Sequence, residues 1–190
     1  MKVYAASLLI SALLLVTMTG FSQRAKKIHF KSILIDTHND IPETAITKKV
    51  SFDQDLLHKT HSDLRRMKEG GVDAQFFSIW CDGNQVNPNA WANMQIDTVL
   101  AWTNRNPNAM VQAFTAADIV HIAKQKKLAV LMGVEGGHMI ENDLTKLDAF
   151  YKRGVRYMTL TWNNSTSWAT SALDESTKAD SLKHKGLTDF

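Results

Sequence analysis

An α/β fold of parallel strands is what this sequence predicts, and three observations point there. Strand-like and helix-like segments alternate from Ile33 onward. The strand-like segments, such as Leu128-Ala129-Val130-Leu131-Met132, are continuously apolar, which implies burial on both faces. Polar and ionisable residues sit at their C-terminal ends: His38 and Asp40 after the first, Glu135 after the third. The alternation implies parallel pairing through crossover helices. A barrel and an open doubly wound sheet share that rhythm. No Gly-x-Gly-x-x-Gly follows a strand, so a dinucleotide-binding sheet has no support. Chemistry gathered at strand C-termini favours a (β/α)8 barrel of the TIM type. About four strands are expected, half of such a barrel.

The elements follow in order. Ile33-Leu34-Ile35 reads as a buried strand that stops in the polar loop Asp36-Thr37-His38-Asn39-Asp40, before Pro42. Residues 62–69 read as a short helix, with Ser62 as its cap and Gly70-Gly71 as its stop. Val72 to Trp80 is a second strand. Residues 90–104 form a helix with Met94, Val99 and Trp102 among its apolar residues, and residues 115–126 form another that Thr115 can cap. Leu128 to Val134 is the third strand and runs into Glu135-Gly136-Gly137-His138. Residues 144–152 form a helix closed by Gly154. Val155 to Thr161 is the fourth strand, followed by Trp162-Asn163-Asn164-Ser165.

The ends of the chain and its composition narrow the function. Met1-Lys2, an apolar run from Ala5 to Val16 and small or polar residues to Ser22 fit an export leader over residues 1–22. The apolar run is shorter than the roughly 20 residues a membrane span needs. Export to a periplasm or the medium, with no membrane anchor after cleavage, is the expectation, and residues 23–190 would carry the fold. Twenty-two basic and 19 acidic residues, net +3, give no basic stripe, so nucleic acid is not an expected partner. The single cysteine, Cys81, excludes an internal disulfide. No base stands near it in sequence, and it reads as a small residue at a strand end.

Three groups could carry chemistry. His38 and Asp40 stand at i and i+2 and would face the same way on an extended segment. A histidine with a carboxylate suits Zn²⁺ and similar divalent ions. Taken alone, the pair is better explained by a turn in which Asp40 caps a backbone N–H and His38 lies on the surface. Glu135 follows an apolar strand, where a carboxylate is costly unless solvated or paired. Such a carboxylate can also bridge two metal ions. Trp162 cannot ligate a metal or carry a proton at neutral pH, so it either walls a pocket or packs. His138, three residues beyond Glu135, reads as a supporting group, while His58, His61, His121 and His184 show no interpretable spacing. There is no Gly-x-Ser-x-Gly elbow and no His-Glu-x-x-His helix.

Four segments taken together resemble one family. They are Ile35-Asp36-Thr37-His38-Asn39-Asp40, the stretch from Asp63 to Ser78, Gly133-Val134-Glu135-Gly136-Gly137-His138, and Gly154-Val155-Arg156-Tyr157-Met158-Thr159-Leu160-Thr161. In that order they are similar to the membrane (renal) dipeptidase family. The resemblance implies a zinc-dependent dipeptidase on a (β/α)8 barrel, with two Zn²⁺ ions per complete site. It implies that His38 and Asp40 bind one ion, that Glu135 bridges both, and that a metal-bridging water attacks the peptide carbonyl, positioned by Glu135. Dipeptides are the implied substrates, and pairing of two copies stays open. There are two departures from the family. Trp162 stands where the family commonly has a substrate-contacting histidine. The family's two later histidine ligands, and the substrate-binding arginine and acidic residue beyond them, have no counterpart before Phe190. A C-terminally incomplete piece, inactive alone, is therefore expected. A truncated, non-catalytic metal-binding product and another metal-dependent amidohydrolase on the same barrel are the alternatives. The latter class usually opens with His-x-His rather than His-x-Asp.

Overall fold

The computed structural model describes residues 23–180 and 186–189. The leader expected over residues 1–22, together with His184 and Phe190, lies outside them. Residues 23–34 belong to a unit of their own, helical over 23–29.

From Ile35 onward the chain forms one parallel sheet and its helices. The strands are β1 (Ile35–Asn39), β2 (Ala74–Trp80), β3 (Met110–Gln112), β4 (Leu128–Glu135) and β5 (Val155–Met158). The helices are α1 (Ile41–Lys48), α2 (Leu64–Gly70), α3 (Pro88–Arg105), α4 (Ala116–Lys124), α5 (Leu144–Lys152) and α6 (Ala172–Thr177). β1 pairs with β2, and β2 pairs with β4 from Ala74↔Ala129 to Trp80↔Glu135. The other edge of β4 is shared. β3 takes Leu128 to Val130, and β5 takes Met132 to Val134. The sheet is thus four positions wide, as expected, with a fifth, three-residue strand lying end to end with β5. Gln112 Nε2 ties the two by donating to the Arg153 carbonyl at 2.9 Å. A three-residue strand is too short to show a period, which is why β3 does not stand out in the sequence.

The order of strands decides which face each helix covers. The β2-α3-β3 connection passes the place that β4 later takes, and β3-α4-β4 runs back to it. Crossovers of one right hand then put α3 and α4 on opposite faces. The core divides accordingly. Ile96, Val99 and Trp102 of α3 pack with Phe77, Ile79, Val130, Met132 and Val134. Ile119 and Ile122 of α4 pack with Ala74, Ala129 and Leu131, against Phe76 and Val111. Small residues at 74 and 129 make room for α4. It therefore covers the N-terminal half of the inner face. Ser78, Trp80, Gly133 and Glu135 occupy the C-terminal half of that face. On the outer side Phe52, Phe77 and Trp102 are buried, with ring centroids 5.2–6.0 Å apart.

Local chemistry sets the ends. Thr115 and Asp118 form a reciprocal capping box on α4. α2 is capped by Asp63 rather than Ser62: Asp63 Oδ1 accepts from the Arg66 N–H at 2.8 Å. Ser62 Oγ instead lies 3.1 Å from Asn39 Nδ2. α1 has no counterpart in the sequence reading, which takes Pro42 as a loop residue. In the fold Pro42 lies in the first turn of α1, where its missing N–H costs nothing. β1 also differs from expectation. The polar stretch 35–39 is itself the strand, while Ile33, Leu34 and Ile35 are exposed.

Candidate metal centre

Two bulges aim the residues at the C-terminal end of the sheet. On β1, Asp36 pairs with Gln75 and Asn39 with Phe77, so Thr37 and His38 together face the single residue Phe76. The extra residue turns His38 to the inner face, which strict alternation from Asp36 would deny it. Asp36 Oδ1 supports the bend by accepting the His38 N–H at 3.1 Å. On β5, Met132 pairs with Val155 and Gly133 with Tyr157, which leaves Arg156 as the extra residue. That bulge turns Tyr157 inward. Arg156 anchors it by donating to the carbonyls of Phe114, Tyr151 and Val155 at 2.8–3.0 Å, with its guanidinium over both the Phe114 and Tyr151 rings.

The result is a convergence across the sheet. His38 Nε2 lies 3.2 Å from Asp40 Oδ1 and 3.2 Å from Glu135 Oε2. The three ligand atoms lie within 4.8 Å of one another. Ser78 Oγ, from β2, is 3.3 Å from the same Glu135 oxygen. On the far side of the imidazole, Nδ1 is 3.3 Å from the Tyr157 hydroxyl. Burial, then the charges of Glu135, Asp40 and Asp36, push the Tyr157 hydroxyl above its ordinary pKa and keep it protonated.

One imidazole nitrogen and two carboxylate oxygens make a donor set suited to Zn²⁺ and related divalent ions. Asp40 decides between that reading and a plain helix cap. It occupies the N-cap position of α1, yet its side chain makes no capping bond, and its oxygen faces His38 instead. The residues present therefore fit a divalent cation.

Around the centre, Trp162 stacks on Trp80 with centroids 5.7 Å apart. Trp80 is the register partner of Glu135, so the indoles stand beside the carboxylate. Gly136 adopts φ +124°, and a Cβ there would come within 2.4 Å of the His138 ring, so only glycine serves. His138, read from the sequence as a supporting group, meets Cys81 rather than any of the three converging residues. Its Nε2 lies 3.4 Å from Cys81 Sγ, across 57 residues of sequence. A base thus stands beside Cys81 after all, but the pair is not set up as a nucleophile. Burial and then Asp82 push the thiol up to about 12, and burial lowers the pKa of His138. His121 bonds Gln125 on the surface of α4, away from this centre. Tyr157 and Ser78 are the residues here that spacing did not reveal.

Residues 22–190 match the membrane dipeptidase family, peptidase family M19. Dipeptidase 3 of Homo sapiens is 35% identical over a match covering 78% of this chain and 31% of that protein. Dipeptidase 3 of Mus musculus is 37% identical, covering 73% and 29%. The chain thus spans about a third of the length of these relatives. Among solved structures, a probable dipeptidase, PvdM, from Pseudomonas aeruginosa superposes with a TM-score of 0.68 at 21% identity, covering 78% of this chain and 39% of that one. A metallopeptidase from Rhodobacter sphaeroides, liganded with a phosphinate mimic of the dipeptide L-Ala-D-Ala, gives 0.61 at 21%, covering 73% and 48%. The parallel sheet with its first-half-barrel order, the four motifs and the match over residues 22–190 place this chain in the membrane dipeptidase family.

Proposed function

We propose that this chain supplies one side of the metal site of an exported, zinc-dependent dipeptidase, whose remaining ligands come from later strands of a complete barrel. The observation that carries the reading is the convergence of His38, Asp40 and Glu135 at 3.2 Å separations. His38 Nε2 and Asp40 Oδ1 would hold one Zn²⁺, and Glu135 would reach both ions of a pair. When bound, the cations lower the pKa of a water and polarise a carbonyl. Glu135 is the proposed catalytic residue. Ser78 Oγ donates to its Oε2, and Glu135 is assigned to orienting the attacking water. The dipeptide mimic bound by the Rhodobacter sphaeroides relative supports dipeptides as the substrate class. Export rests on the leader pattern at residues 1–22. Among the described residues, no helix is long and apolar enough to cross a membrane.

Trp162 is assigned to the substrate wall. Stacked on Trp80, it offers one N–H donor and a flat apolar face. In the full-length protein, Trp162→His is expected to change relative kcat/KM across a dipeptide panel by about 10-fold, the scale of one hydrogen bond gained or lost. An unchanged panel would make Trp162 a packing residue. The reading as a whole is tested by chelation. Dipeptide hydrolysis by the full-length protein is expected to stop when metal is removed and to return with Zn²⁺. Hydrolysis that persists in metal-free protein overturns it.

A further inference from the structure

A histidine can give a metal one nitrogen only if that nitrogen carries no hydrogen, and the partner of the other nitrogen decides which one this is. The hydrogen-bond chain behind His38 favours one of the two. The Tyr157 hydroxyl lies 3.4 Å from the Thr37 carbonyl and 3.3 Å from His38 Nδ1. The carbonyl can only accept, whereas Nδ1 can accept or donate, so both contacts hold together only if the single phenol hydrogen goes to Thr37. The phenol oxygen is then left to accept, and Nδ1 must donate to it. Nδ1 carries the hydrogen, and Nε2 presents a lone pair towards Asp40 Oδ1 and Glu135 Oε2. Three lone-pair donors facing one another with no hydrogen between them suit a cation.

The position of Tyr157 is built, not incidental. The Arg156 bulge turns the side chain inward. The ring then lies flat over Gly133, where a Cβ would come within 1.9 Å of it. Phe76 packs against the same ring, with centroids 5.5 Å apart. The β1 bulge brings His38 to meet it from across the sheet. Two strand irregularities and one glycine therefore serve a single contact. We infer that Tyr157 is a positioning residue: it fixes His38 in the Nδ1-protonated form and so aims Nε2 at the cation. The inference rests on the metal site proposed above.

Tyr157→Phe in the full-length protein keeps the ring over Gly133 and removes only the hydroxyl. Zinc affinity, measured by chelator competition, is expected to fall roughly 10- to 100-fold, the usual loss for an outer partner of a metal-bound histidine. Long-range ¹H–¹⁵N NMR of His38 in the zinc-loaded wild type is expected to place the hydrogen on Nδ1. An affinity within about twofold of wild type, far short of that loss, overturns the inference. So does a wild-type His38 that carries its hydrogen on Nε2 or meets zinc through Nδ1. If Tyr157→Phe does not fold, the wild-type spectrum decides alone. His38→Ala separates the two claims. Unchanged zinc affinity in that variant sinks the metal site itself. A loss there without one in Tyr157→Phe sinks only the role of Tyr157.

Discussion

His38→Ala and Asp40→Asn, each made in the full-length protein, are expected to abolish dipeptide hydrolysis and to lower bound zinc. The loss in kcat/KM should exceed about 100-fold, the upper end for losing only an outer partner of a ligand. The reasoning is geometric. His38 and Asp40 come from the end of β1 and Glu135 from the end of β4, and one ligand atom of each lies within 4.8 Å of the others. Removing His38 leaves two carboxylates with no neutral donor between them. Asp40→Asn keeps the size of the side chain but removes the charge that draws a cation to this end of the site. Neither side chain belongs to the buried core, so the fold should survive both changes. Zinc content by elemental analysis, beside a steady-state dipeptide assay, checks this. Full activity in either variant contradicts the assignment.

Asp63→Ala is expected to cause the largest loss of stability. The Asp63 side chain is fully buried and holds three donors: the Arg66 N–H at 2.8 Å, the Arg66 guanidinium at 2.6 Å and the Leu56 N–H at 3.2 Å. Truncation leaves two backbone donors and part of a cation without their partner. For a broken buried pair the cost is about 3 kcal/mol or more. The pH dependence follows from the same contacts. Burial works to raise the Asp63 pKa, but the Arg66 N–H, the Arg66 side chain and the Leu56 N–H outweigh it and bring it below the ordinary value. A carboxyl lowered in the folded state adds stability above its unfolded pKa of about 3.9. That contribution is lost as pH falls through the folded value. Urea unfolding of Asp63→Asn beside wild type should therefore show a clear deficit at neutral pH that narrows below about pH 4. A deficit independent of pH would mean that shape, not charge, is what Asp63 provides.

Much of the arrangement was legible in residue order, and the exceptions share a cause. Strands β2 and β4 show plainly as apolar runs, because each is buried on both faces. Glu135 shows for the same reason, as a charge set against such a run. The stop at Gly71 and the cap at Thr115 follow from local chemistry alone. What sequence spacing did not reveal depends on irregular pairing. His38 and Asp40 do meet, but not as two same-facing residues of a regular strand. A bulge turns His38 inward, and Asp40 starts a helix. Tyr157 lies inside a readable strand, yet alternation assigns it to the wrong face until Arg156 is counted as extra. The Cys81–His138 contact joins residues 57 apart in sequence, and no local pattern announces it. Gly133 reads as one more small residue of an apolar strand. Only the Tyr157 ring above it explains why nothing larger stands there.

Anomalous diffraction at the zinc edge, from crystals of the zinc-loaded full-length protein, tests the central claim most directly. The expected result is a peak about 2.0–2.2 Å from His38 Nε2 and from oxygens of Asp40 and Glu135. Zinc held by other residues, with His38 bonded only to the two carboxylates, would contradict it.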